Sequence, residues 1–256
     1  MVQKLSMVAQ MTNVGISMYG AYNKGKGGIV IFNGNSASYS NVRGEFKLFN
    51  NTGTGAIISL LKASFITITN SVVSGHTNLV ALSISVGTNI RVVDSYFISN
   101  SNSSIVVVMG DPVYNQWLTN FVMYNTFLID DDASTLLQLG GKIWLIISNN
   151  TFGGVSANSG RAIEETYDIP LSGVLSLVEN QFYTNTLQYL YTNYNPQTNV
   201  GFLPPFQPKE WTNINNPALL GTTPESTNNR VGGTIVLTHL FQKMVKNPCM
   251  NRQGFF

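Results

Sequence analysis

The side chains able to do chemistry in this chain are few and widely spaced. Hydrolysis of a glycosidic bond needs two carboxylates about 5 to 9.5 Å apart, and the 256-residue sequence holds 12 acidic residues. Asp94 and Glu179 stand at equivalent places in segments three repeats apart. If those segments stack as strands, at roughly 4.8 Å per step, the two carboxylates are about 14 Å apart and cannot form such a pair. Asp130, Asp131 and Asp132 are the densest acidic cluster. Consecutive residues of an extended chain point to opposite sides, and a hard cation draws its oxygens from several segments, so this run reads as a solvated loop. Glu164 and Glu165, near Arg161, read the same way. His76 and His239 are the two histidines, and no serine sits in a GxSxG elbow that would support a nucleophilic triad.

Cys249 is the single cysteine, which excludes an intrachain disulfide and a cysteine-built metal cluster. The run Asn23-Lys-Gly-Lys-Gly-Gly28 lacks the spacing of a phosphate-cradling loop and reads as a turn into Ile29 to Phe32. With 14 Lys and Arg the formal charge is +2, and no basic stripe for nucleic acid is visible. Trp117 and Trp144 could stack on sugar rings, but they fall in different columns of adjacent repeats, which points to core or loop packing. These observations assign no catalytic residue, no metal ligand and no cofactor.

The elements that must position all of these residues are repeats. Five segments run Ile66 to Val73, Ile90 to Phe97, Asn120 to Phe127, Leu145 to Phe152 and Leu175 to Phe182, each ending on an apolar residue. Two positions before that residue stand Ser71, Ser95, Asn125, Asn150 and Asn180. Five before it stand Ile68, Val92, Val122, Ile147 and Leu177; seven before it stand Ile66, Ile90, Leu145 and Leu175, with Asn120 as the exception. Such alternation is a strand with one face in a core. The polar column beside the terminal residue reads as a corner ladder, whose amides and hydroxyls satisfy backbone groups that a bend leaves unpaired.

A further strand follows each corner: Ala56 to Leu60, Leu79 to Ile84, Ile105 to Met109, Leu136 to Leu139 and Leu187 to Tyr191. One repeat is too short for a crossover helix, so the coils must stack on one another. The expected fold is all-β, a right-handed parallel β-helix. Its expected divisions are an N-terminal cap or arm over 1–28, the solenoid over 29–192 and a C-terminal arm over 193–256. An additional coil between Val42 and Asn51 would end at Phe46 or Phe49. In the arm, Asn195-Pro, Leu203-Pro-Pro and Gln207-Pro mark an extended stretch. Residues 235–246 fit a short helix capped by Thr234, and the span from Thr234 to Leu240 also fits a strand.

Charged residues make up 10% of the chain, while its 30 asparagines outnumber all Lys and Arg. Neutral amides can ladder at the coil spacing without like-charge repulsion, which suits stacked strands. No apolar run reaches the 18 or more residues of a spanning helix. Met1 to Tyr22 makes a poor export signal, because Gln10, Thr12 and Asn13 interrupt its apolar part.

If the alternation holds, Val93, Phe121, Met123, Ile146 and Val178 line the outside of one sheet across four coils. A contiguous apolar stripe on a soluble protein meets something, either the Pro-rich tail from Tyr194 folding back or a partner subunit.

The coils resemble those of the right-handed parallel β-helix superfamily, which includes pectate-lyase-like enzymes, phage tailspikes and autotransporter passengers. Phe97-Ile-Ser-Asn100 and Phe182-Tyr-Thr-Asn185 are similar to the FxxN motif of polymorphic outer-membrane passengers, and Gly27-Gly28-Ile29 is similar to their GGxI companion. Gly75-His76 is similar to the Gly-His-Gly of polygalacturonases, but Thr77 departs from it. Such motifs specify coils rather than activities. The expectation is a structural or adhesive component of a virion or of an extracellular or cell-surface assembly. It would be a rigid rod docking on other protein subunits as a homo- or hetero-oligomer. The alternative is a carbohydrate-active β-helix, a polysaccharide lyase or hydrolase, or a glycan-binding module. Nucleic acid and a membrane span are not expected.

Overall fold

The computed structural model describes residues 5–7, 10–21, 24–26, 29–34, 38–77, 79–98, 104–113, 115–129, 135–154, 159–166, 171–183, 187–192, 222–227 and 230–231. Every named strand pair in it is parallel, and the chain is a β-solenoid. Each coil opens with a strand of the corner segment: Ile66–Thr69, Ile90–Val93, Leu118–Met123, the second half of Thr135–Ser148, and Leu171–Val178. After a corner comes a short strand carrying the terminal apolar residue: Val72–Ser74, Tyr96–Ile98, Thr126–Ile129, Thr151–Gly154 and Gln181–Phe182. A return strand then builds the opposite wall: Ala56–Leu61, Val80–Ser85, Ser104–Met109, the first half of Thr135–Ser148, Ser159–Glu165 and Leu187–Thr192.

Equivalent residues sit directly beside one another from coil to coil. Ile68 pairs with Val92, Val92 with Val122, Val122 with Ile147 and Ile147 with Leu177. All five are buried, because this column faces the interior on every coil. The terminal phenylalanines form a second internal file. The rings of Phe97, Phe127, Phe152 and Phe182 stack at centroid distances of 5.3, 5.0 and 4.9 Å. That spacing is the strand spacing itself, so the backbone ladder and the offset ring contacts reinforce each other.

The bend is made by the residue three before the terminal one. Asn70, Asp94, Tyr124, Asn149 and Glu179 all adopt the left-handed region, with φ between 48° and 57°. Asn and Asp tolerate that conformation through local hydrogen bonding, whereas Tyr124 and Glu179 occupy it at a steric cost.

The stacking extends past both ends of the expected 29–192 span. Leu5–Met7 pairs with Val30–Phe32, and Gly15–Ala21 pairs with Val42–Phe49, so part of the 1–28 stretch belongs to coils. Thr222–Thr227 continues the wall beyond Leu171–Val178, and Arg230–Val231 follows Gln181–Phe182. The segment 235–246 lies outside the described residues. In the coil over Val42–Phe49, Val73 faces Leu48, so the terminal position is Leu48 rather than Phe46 or Phe49. Phe46 is nevertheless fully buried. Its ring lies where a side chain at Gly44 would go, since a Cβ there would come within 2.5 Å of it. A glycine therefore replaces the aliphatic residue used at the facing position Ile68.

Candidate docking and ligand-binding face

The corner residues form one buried chain of hydrogen bonds. Ser95 Oγ accepts from the Ser71 backbone N–H at 3.2 Å, and Asn125 Oδ1 from that of Ser95 at 3.0 Å. Asn150 Oδ1 accepts from the Asn125 N–H at 2.9 Å, and Asn180 Oδ1 from that of Asn150 at 3.0 Å. The amide nitrogens of Asn125, Asn150 and Asn180 donate to Val92, Val122 and Ile147 carbonyls. Each asparagine thus ties the bend of one coil to the strand of the coil before it, leaving its amide satisfied in the dry interior. Asn120, which breaks the aliphatic pattern, is fully buried and does the same at the other end of its strand: Oδ1 accepts from Ile90 N–H and Nδ2 donates to Gly87 O.

His76 belongs to this internal framework. It is fully buried, its Nδ1 accepts from the Asn51 N–H at 3.0 Å, and its Nε2 lies 3.0 Å from Leu48 O. That pairing requires the neutral Nε2–H tautomer, and burial lowers the imidazole to about 4 despite the two hydrogen bonds that oppose the shift. It is a structural acceptor and donor rather than a general base. Asp94 and Glu179, at the left-handed corners, are exposed and three coil steps apart, about 14 Å. Glu164 is held by Thr135 Oγ1 at 2.6 Å and by Arg161 at 3.5 Å, tying the return strands of two coils together. Asp130, Asp131 and Asp132, His239 and Cys249 lie outside the described residues. Among the described residues no three His, Cys, Asp or Glu side chains converge as a metal site would require.

The outer face of the corner wall carries the remaining chemistry. Arg91 pairs with Phe121, Phe121 with Ile146, and Ile146 with Ser176. Beside that row, Val93 pairs with Met123, Met123 with Ser148, and Ser148 with Val178. Val93, Phe121, Met123, Ile146 and Val178 are all partly buried on this outward side, and the guanidinium of Arg91 lies 5.2 Å from the Phe121 ring centroid. The two rows are therefore contiguous, with Ser148 interrupting the apolar surface.

Toward the start of the same strands the face becomes aromatic and polar. Trp117 is 53% exposed and Trp144 48%, so neither packs in the core or under a loop as their spacing suggested. Thr119 pairs with Trp144, which places Lys142 opposite Trp117, and the Lys142 ammonium lies 4.8 Å from the Trp117 ring centroid. The chain reaches Trp117 through a bend pinned by Asp111. Its carboxylate accepts the backbone N–H groups of Val113, Asn115 and Gln116 at 3.1, 2.8 and 2.7 Å. Asp111 and Lys142 also exchange backbone hydrogen bonds at 3.1 and 3.0 Å. Desolvation pushes this carboxyl up, but the three donors and the Lys142 charge together hold it below the usual carboxylate range. Sequence spacing gave a loop before Trp117 but not Asp111 as its anchor; the Asp-Pro pair at its start was the available signal.

No family model matches this chain, and comparison with curated proteins and with solved structures gives no match. The class that the fold defines is a parallel β-solenoid with an internal asparagine and phenylalanine ladder.

Proposed function

We propose that this protein is a structural or adhesive component of a virion or extracellular surface assembly, a rigid rod that docks on neighbouring protein subunits. The observation that carries the reading is the outer row of Phe121 and Ile146 beside Val93, Met123 and Val178. A sheet face that needs only strand backbone for its own stability has no reason of its own to present contiguous apolar side chains outward. The stacked interior supports the role of a scaffold: each coil is tied to the next by side-chain as well as backbone hydrogen bonds, which suits an element that must hold a docking face flat. The FxxN-like motifs and the coil spacing support a finer placement among right-handed parallel β-helices.

The test is the state of association in solution. Sedimentation should show an oligomer, and Phe121→Glu or Ile146→Glu should convert it to a monomer with an unchanged circular dichroism spectrum. A wild-type chain that stays monomeric at every concentration, or glutamate variants that assemble normally, would refute the docking role.

A second reading, a glycan-binding module, is favoured by one observation: Trp117 and Trp144 are both half-exposed on one rigid wall. A polysaccharide-cleaving activity draws less support, because Asp94 and Glu179 stand too far apart to work on one bond.

A further inference from the structure

The outer face has two ends of different character, and they suit different ligands. At the Phe121 end the exposed surface is aliphatic and aromatic. At the Trp117 end the two indoles are surrounded by amides and hydroxyls: Asn115 and Gln116 are exposed in the bend, and Asn89 and Thr119 lie in register with Trp144 on the two preceding coils. Large half-exposed rings bordered by hydrogen-bonding groups match the surface of a sugar, which offers a C–H face for stacking and a rim of hydroxyls. A protein partner would more readily match the apolar end.

We propose that the wall between Trp117 and Trp144 binds an uncharged hexopyranose glycan, one sugar ring stacking on Trp144 and another on the Trp117 face turned away from the Lys142 ammonium. The two residues are one coil apart and two positions apart along the strand, a diagonal of about 8 Å, which two rings of one oligosaccharide can span. Electrostatics selects the uncharged ligand. Lys142 is the cation beside Trp117 and its ammonium is engaged over that ring, while the Asp111 carboxylate that closes the same bend adds a negative charge that disfavours a uronate. The site is also preorganised. Asp111 closes the bend through three backbone N–H groups, and the bend is stitched to Lys142, so Trp117 is already held in place before a ligand arrives. This inference deepens the glycan-binding reading and is independent of assembly through Phe121.

The test is calorimetric titration of the full chain with cellohexaose, maltohexaose, mannohexaose and, as the anionic comparator, hexagalacturonate. At least one neutral hexasaccharide should bind, with a change in tryptophan fluorescence. Trp117→Ala and Trp144→Ala should each weaken it about five- to tenfold, while Trp144→Phe restores most of the loss. Phe121→Glu should abolish assembly yet leave sugar binding intact, which separates the two readings. The proposal is overturned if none of the neutral sugars binds, if hexagalacturonate binds more tightly than all of them, or if both alanine variants bind like wild type while keeping its melting curve.

Discussion

Truncating Asn150 to alanine interrogates the internal ladder at its most connected point. In the native chain Asn150 Oδ1 accepts from the Asn125 backbone N–H and from Asn125 Nδ2, at 2.9 and 3.1 Å. Its Nδ2 donates to the carbonyls of Val122 and Ser148 and to Asn180 Oδ1, at 2.8, 3.0 and 3.0 Å. Asn125 Nδ2 keeps Val92 O and Asn180 Oδ1 keeps the Asn150 N–H, so those two groups retain a partner. The Asn125 N–H does not keep the acceptor it has at the bend, and the site is too buried for bulk water to replace it. An orphaned buried donor costs about 1–3 kcal/mol, and the volume left by the amide adds a cavity term, so Asn150→Ala should destabilise by about 3–4 kcal/mol. Asn150→Ser keeps an acceptor oxygen, as Ser71 and Ser95 do in earlier coils, and should cost about half as much. Urea unfolding followed by circular dichroism measures both, with the outward Thr67→Ala as the reference substitution. If Asn150→Ala costs no more than Thr67→Ala, the ladder does not hold the coils together and the argument for it fails.

Three further outcomes follow from the same geometry. The folded-state value of His76, about 4, lies below its ordinary 6.5, so the unfolded chain takes up the proton first. Its contribution is fully present above about pH 6.5, falls by about 3 kcal/mol as the pH drops toward 4 and levels off below that; urea midpoints across this range should show the slope, and His76→Gln should remove it. Tyr124 holds a left-handed corner with φ of 57°, and Tyr124→Asn should stabilise by about 1 kcal/mol, read as a rise in the melting temperature; a fall would mean that the exposed phenol makes contacts worth more than the strain. For the outer wall, Phe121→Glu should give a monomer whose unfolding free energy in urea lies within about 1 kcal/mol of that of the dilute, dissociated wild type, because the side chain is on the outward side of its strand.

The repeat and its inward columns were determined by the sequence alone. Period-two alternation forces one set of side chains inward, and Ile68, Val92, Val122, Ile147 and Leu177 have no other way to share a core. The column of Ser71, Ser95, Asn125, Asn150 and Asn180 was legible for the same reason, since a polar residue recurring at one place in an apolar repeat must answer a recurring backbone need. The role of Asn120 was not legible, because a lone departure from a pattern carries no partner's address; only the stacked coils show that it faces Ile90 N–H and Gly87 O. The extension of the ladder was hidden similarly: Thr222–Thr227 sets Pro224 and Ser226 beside Leu175 and Leu177, and Gly15–Ala21 turns Ile16 and Met18 to the core but carries Gly20 where the next coil has Leu48, so both are recruited by register with a finished neighbour. Exposure of Trp117 and Trp144 was also decided in three dimensions. Their spacing puts them in different columns, and the bend that Asp111 closes determines where the first of them lands beside Lys142. Local pattern fixes which face a strand residue takes, whereas what stands next to that face depends on contacts made a full coil away.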